Sequence, residues 1–271
     1  MSDLVTYAYA VARNAAGLEE SMAALTGVAD APVHLVAGTR DDETVLVVSP
    51  VPAQDFQEDA LKGHLEDLEW LEAVARAHNR VIDALATRTT VLPLRLATVY
   101  LDDTRARDVL DAGSAAFAER LAQLAEHVEW GVKIYVDLSP APADPAPAPD
   151  ADLTPGRAYL RSRKEQRSVR DSAYRAAEQA AERVEAAGRA HAAGRARHRV
   201  QQGPLADGVG GNVVNDAYLV PRDRTEEFRS EVEHAADGLQ GVRVEVTGPW
   251  APYSFATLSA GSEETAEGGG P

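Results

Sequence analysis

Five prolines stand among the eleven residues from Ser139 to Pro149, spaced by alanine, and neither a helix nor a sheet interior can run through them. Such a stretch favours extended polyproline II and acts as a semi-stiff surface spacer. It divides the chain into a domain over residues 1–138, a Pro/Ala-rich linker over 139–156 and a second domain over 157–256. At 271 residues there is enough chain for two domains with substantial cores. Residues 257–271, rich in Gly and Glu, read as a disordered tail.

The first domain alternates between strand and helix signals. Val5–Val11 interleaves aromatic, alanine and valine residues and predicts a strand, followed by a short helix with Leu18, Met22 and Leu25 on one face. Pro32–Ala37 and Thr44–Val48 predict two strands joined by a polar turn. A helix over about 63–86 follows, with Leu65, Leu68, Leu71, Ile82 and Leu85 at three- and four-residue steps. Leu92–Tyr100 alternates as one more strand. The order β-α-β-β-α-β is that of a ferredoxin-like split βαβ unit, and the fold class is α+β. A helix over about 104–126 and a strand over 130–136 complete this domain, with the second domain as the alternative home for that strand.

The second domain opens on a long basic helix, predicted over 157–200. Val169, Ala173, Ala176 or Ala177, Ala180, Val184 and Ala187 form a narrow seam at heptad-like steps. Small side chains bury little area, about 25 cal/mol being gained per Å² of apolar surface, so this coiled-coil-like seam calls for a partner helix. After a glycine-rich loop, Val213–Val220, Thr225–Ala236 and Val242–Thr247 predict a βαβ continuation of an α/β domain, closed by an aromatic clasp.

Charge is unevenly spread. The net charge is −16, yet residues 157–199 hold twelve Lys/Arg against five Asp/Glu, a surplus of seven that leaves −23 on the rest. An acidic chain disfavours general nucleic-acid binding, because phosphates need cationic partners. The basic helix fits three readings: a solvated face, contact with an acidic protein surface, or nucleic-acid binding, which lacks stacking aromatics beyond Tyr159 and Tyr174. No apolar run reaches the roughly 20 residues of a membrane-spanning helix, and Met1–Leu4 shows no secretory signal, so the expectation is a cytoplasmic protein without membrane contact. Zero cysteines exclude disulfides, iron–sulfur clusters and thiol catalysis.

The residues of catalysis are missing in their usual patterns. There is no Gly-x-Ser-x-Gly elbow, Walker loop or His-Glu-x-x-His. Gly208–Gly211 resembles a phosphate loop, but a strand signal follows where a helix N-terminus is needed. His191 and His198 share a helix face among arginines that repel cations, and the other five histidines have no partner at ligand spacing. The reading assigns no catalytic residue, cofactor or metal. Glu66, Asp67, Glu69 and Glu72 beside Trp70 read as a solvated acidic face or a docking site.

Aromatics are only 6% of the chain, yet Trp250, Tyr253 and Phe255 fall within six positions, with Pro249 and Pro252 beside them. Large rings held by proline read as a structural clasp or a docking site. Glu66, Glu69, Trp70, Arg95, Trp250, Tyr253 and Phe255 are therefore the candidate partner-binding residues.

Several segments in this order carry a resemblance. They are Val5–Val11, Leu65–Leu71, Val91–Tyr100, Glu129–Tyr135, Ala217–Pro221 and Thr247–Phe255. Over residues 4–256 the chain resembles the gas vesicle protein family GvpF/GvpL. The resemblance implies a non-enzymatic accessory protein of gas vesicle assembly. Its implied partners are the hydrophobic shell protein and other accessory gas vesicle proteins, and its implied location is cytoplasmic and vesicle-associated. It also implies a ferredoxin-like N-terminal core and a C-terminal domain with a long coiled-coil-like helix; no catalytic residues carry over. The rival readings are a ferredoxin-like small-ligand-binding or regulatory protein and nucleic-acid binding through the basic helix.

Overall fold

The computed structural model describes residues 4–39, 43–64, 66–137, 155–200 and 210–257. The chain forms two units, Met1–Glu126 with Ala251–Pro271 and His127–Trp250. Of the linker expected over 139–156, residues 139–154 lie outside the described residues and 155–156 already open a helix. Of the glycine-rich loop expected over 203–211, residues 203–209 lie outside them and 210–211 open a strand; the tail beyond 257 lies outside them. Helices and antiparallel sheets combine in an α+β architecture.

In the first unit, β1 (Leu4–Arg13), β2 (His34–Ala37), β3 (Thr44–Pro52) and β4 (Val91–Pro93) form a sheet in the order β2-β3-β1-β4, and β5 (Val99–Tyr100) also pairs with β1. Every pairing is antiparallel. Strand β1 is buried on both faces, which is why its sequence is nearly continuous in apolar residues. Val5, Tyr7 and Tyr9 face one core, and a register shift between Ala8 and Ala10 keeps Ala10 and Ala12 in that same core. That core is completed by α1 (Leu18–Ala23), α2 (Ala53–Phe56) and α4 (Leu68–Ala86), the last through Val74, Val81, Ile82 and Leu85. Helix α5 (Asp103–Leu124) covers the opposite face with Ala106, Leu110, Phe117, Leu121 and Leu124. Its first residue is tied to the sheet: the Asp103 carboxylate accepts from Thr6 Oγ1 at 2.7 Å and contacts His34 Nε2 at 2.9 Å. Burial pushes that carboxyl's pKa up, but the Thr6 hydroxyl and His34 outweigh it and hold the pKa below the usual value.

Two elements of this unit differ from the sequence reading. The single helix expected over 63–86 is two helices, α3 (Glu58–His64) and α4. The Asp67 side chain accepts from the Glu69 and Trp70 N–H groups, capping α4 and ending the continuity. The single strand expected over Leu92–Tyr100 is the pair β4 and β5. Between them Ala97 takes a left-handed φ of 61°, a conformation that breaks a strand.

In the second unit, β6 (His127–Asp137), β7 (Gly194–Arg197), β8 (Gly210–Pro221) and β9 (Val242–Trp250) form an antiparallel sheet in the order β7-β8-β6-β9. Alternate residues of β6, from Val128 to Val136, pack under α6 (Pro155–His191) and α7 (Thr225–Glu233). The long helix thus ends at His191, not at 200. Ala193 N–H bonds the Leu219 carbonyl and a fourth strand begins at Gly194. The alanine seam is buried from Ala173 to Ala187, against this sheet and α7, whereas Val169 is exposed. The partner helix that the seam called for is α7, and the sheet covers the rest of it, because alanine admits close neighbours of either kind.

Candidate interaction surface

The candidate residues of the first unit sit above a column of rings. The Trp70 indole stacks on His64, with centroids 4.8 Å apart and planes at 14°, and leans on Phe56 at 5.4 Å. Phe56 meets Tyr7 edge-on at 5.6 Å, and Tyr7 lies 5.0 Å from Tyr9. Trp70 is therefore half-buried and rigidly backed. Beside it, the first turn of α4 leaves Leu68 78% exposed, and Glu66, Asp67 and Glu69 are exposed as well.

Beneath the column lies a buried polar cluster that sequence reasoning missed. Tyr7 Oη and His78 Nδ1 are 2.9 Å apart, and the same hydroxyl accepts the Ala97 N–H at 3.1 Å. Tyr9 donates to Ser49 Oγ at 2.9 Å and accepts from Val28 N–H at 2.8 Å. Burial pushes the Tyr7 pKa well up and the His78 pKa down to about 4, the Leu94 carbonyl pulling weakly the other way. Both groups are neutral near pH 7, so the cluster is structural polarity, not a poised acid–base pair. The only signal in the sequence was a tyrosine at alternate positions of one strand. His78 is 71 residues from its partner, so spacing could not reveal it.

This cluster holds the loop that carries Arg95. Leu94 N–H bonds the Tyr9 carbonyl, Ala8 N–H bonds the Thr98 carbonyl, and Thr98 donates to the Arg95 carbonyl at 2.7 Å. The side chains of Arg95 and Leu96 are left exposed.

The three aromatics near the end of the described chain are divided between the two units. Trp250 ends β9 in the second unit and is 49% exposed. Tyr253 belongs to the first unit, packs on its core and donates to Asn79 Oδ1 at 2.8 Å. Phe255 is half-buried in the same short 3₁₀ turn. Among the described residues, no cluster of three or more His, Asp or Glu comes together at metal-binding distance. No described helix is long and apolar enough to cross a membrane.

The described residues form an α+β protein that presents Leu68, Leu96 and Trp250 at its surface. The comparisons give the class a family. The sequence profile of the gas vesicle synthesis protein GvpL/GvpF family matches residues 5–257, and the chain belongs to that family. It is 42% identical over 270 residues to gas vesicle protein L of Streptomyces sp. (strain CB03234), covering 99% of both chains. It is also 28% identical to gas vesicle protein F of the same strain, over 92% of this chain and 98% of the relative. The crystal structure of gas vesicle protein GvpF from Anabaena sp. PCC7120 superposes with a TM-score of 0.62 at 18% identity, over 94% of this chain and 97% of that one. At that identity the likeness speaks for the fold. Family membership supports a role in gas vesicle assembly.

Proposed function

We propose that the chain is a non-enzymatic accessory factor that binds the hydrophobic shell subunit, and other gas vesicle proteins, during assembly in the cytoplasm. The reading treats the first unit as a ferredoxin-like core; in sequence the Pro/Ala segment falls within the second unit, between β6 and the long helix α6. The observation that carries it is the exposed Leu68 beside the backed Trp70, with Glu66 and Glu69 around them. Apolar groups on a rigid support can cover greasy surface at little entropic cost, and flanking carboxylates keep such a patch hydrated when it is free. Arg95, Trp250, Tyr253 and Phe255 are the remaining proposed contacts.

The test is co-purification with the shell subunit encoded alongside this chain. Trp70→Ala and Leu68→Ser are expected to retain the parent circular dichroism and to lose at least tenfold in shell-subunit recovery. Undiminished recovery with both variants sinks this placement of the docking face.

A further inference from the structure

Among the described residues, nothing packs against the N-terminal half of α6. Every described side chain from Arg157 to Ser172 is exposed, whereas burial begins at Ala173 and recurs to Ala187. At 1.5 Å per residue, that is a helical arm of roughly 24 Å beyond the packed seam. It carries six Lys/Arg against Glu165 and Asp171. Glu165 is already taken by Arg161 at 3.0 Å, while Arg163, Lys164, Arg167 and Arg170 have no carboxylate in ion-pair range among the described residues. Two of those cations are held in place. Arg163 lies over the Tyr159 ring at 5.8 Å and Arg170 over Tyr174 at 5.6 Å.

We infer that this arm is a docking helix for a carboxylate-rich α-helix of a partner protein. The buried seam continues into it at alternating three- and four-residue steps through Val169, Gln166, Ser162 and Tyr159, the spacing of a helix–helix contact. Along that line Arg163 and Arg170 are one heptad apart and fall on the flank, where a facing helix presents its own charged flank. Matching flanks must be acidic, because like charges across such a seam repel. Val169, on that line, is 53% exposed and gives the contact an apolar component. Nucleic acid is the poorer fit: the whole chain is at −16, and the guanidiniums are already stacked within the helix. The inference concerns a surface separate from Trp70 and fails or stands independently of the shell-binding reading.

The probe is a synthetic helical peptide of about four heptads with Leu and Ala along the seam and Glu on both flanks. It is titrated into the full-length chain by fluorescence anisotropy. Binding is expected, weakening at least tenfold between low and high salt and at least tenfold in an Arg163→Glu, Arg167→Glu, Arg170→Glu variant of parental helix content. Val169→Ser is expected to weaken it as well. The inference is overturned by any of four results. These are no binding, equal binding of the same peptide interrupted by proline, tighter binding of a DNA duplex, or salt-sensitive association of a second copy in sedimentation that the triple variant abolishes.

Discussion

The Tyr7 hydroxyl and the His78 ring nitrogen Nδ1 face each other at 2.9 Å in the core of the first unit. The same hydroxyl accepts the Ala97 N–H at 3.1 Å. One buried bond thereby joins β1, α4 and the Arg95 loop.

The burial of His78 makes stability depend on pH. His78 titrates at about 4 in the fold against 6.5 in the unfolded chain, so between those values only the unfolded chain takes up the proton. Its contribution is complete above about pH 6.5, falls as pH drops toward 4, and is level below. The gap corresponds to about 3 kcal/mol. Urea midpoints measured from pH 7.5 to 4 are expected to fall more steeply for the parent than for His78→Gln. Parallel curves would show that His78 protonates freely in the fold.

Ala97 sits at φ 61°, a region that costs a non-glycine residue roughly 1–2 kcal/mol. Ala97→Gly relieves that strain and is expected to raise the melting temperature. Ala97→Val, with a branched Cβ there, is expected to lower it by several degrees, roughly 1–3 kcal/mol. The ranking Gly above Ala above Val is the readout.

Gly188 in α6 lies against the Tyr218 ring, where an added Cβ would overlap the ring's edge. Tyr218 is 1% exposed and has no room to yield, so Gly188→Ala is expected to destabilise by roughly 1–3 kcal/mol. Gly63 in α3 has open space at the same position, and Gly63→Ala is expected to stabilise by up to about 1 kcal/mol. Chemical denaturation of the pair separates steric cost from helix propensity.

Arg195 donates to the buried Asp216 carboxylate at 2.6 and 3.0 Å and to Glu185 at 2.7 Å, clamping β7 to β8 and α6. Arg195→Leu strands Asp216, which is 4% exposed, at a cost of roughly 3 kcal/mol. Adding Asp216→Leu is expected to recover much of the loss. A double-mutant cycle that shows simple additivity would refute this coupling.

Asp67 accepts two N–H groups at the start of α4. Asp67→Ala is expected to cost about 1 kcal/mol, read as a lower urea midpoint with Trp70 fluorescence as the reporter, since the Trp70 N–H is one of the two.

Strand and helix signals were plain wherever one residue's neighbours along the chain decide its state. The tyrosine-rich β1 and the apolar stripe of α5 declare themselves by period, whereas of the leucine face expected on α4, Ile82 and Leu85 are buried and Leu68 is 78% exposed. What periodicity could not supply were interruptions made by distant groups. The Tyr7 hydroxyl draws the Ala97 N–H out of strand pairing, and the Leu219 carbonyl takes the Ala193 N–H where the long helix has just stopped. Of the candidate surface, the exposure of Glu66, Glu69 and Arg95 was legible from charge alone. Trp250 and Tyr253, three positions apart, looked like one clasp and fall in different units.

The sequence by itself determined the mixture of helices and sheets, the acidic balance with one basic helix, and the family, because these follow from local pattern and motif order. Tertiary structure alone decided which face of each element is covered. A buried partner such as Tyr7 for His78, or a sheet and α7 over the alanine seam, depends on chain segments far apart in number meeting in space. The arm ahead of Ala173 remains exposed for the same reason: the sheet beneath α6 ends before the helix does.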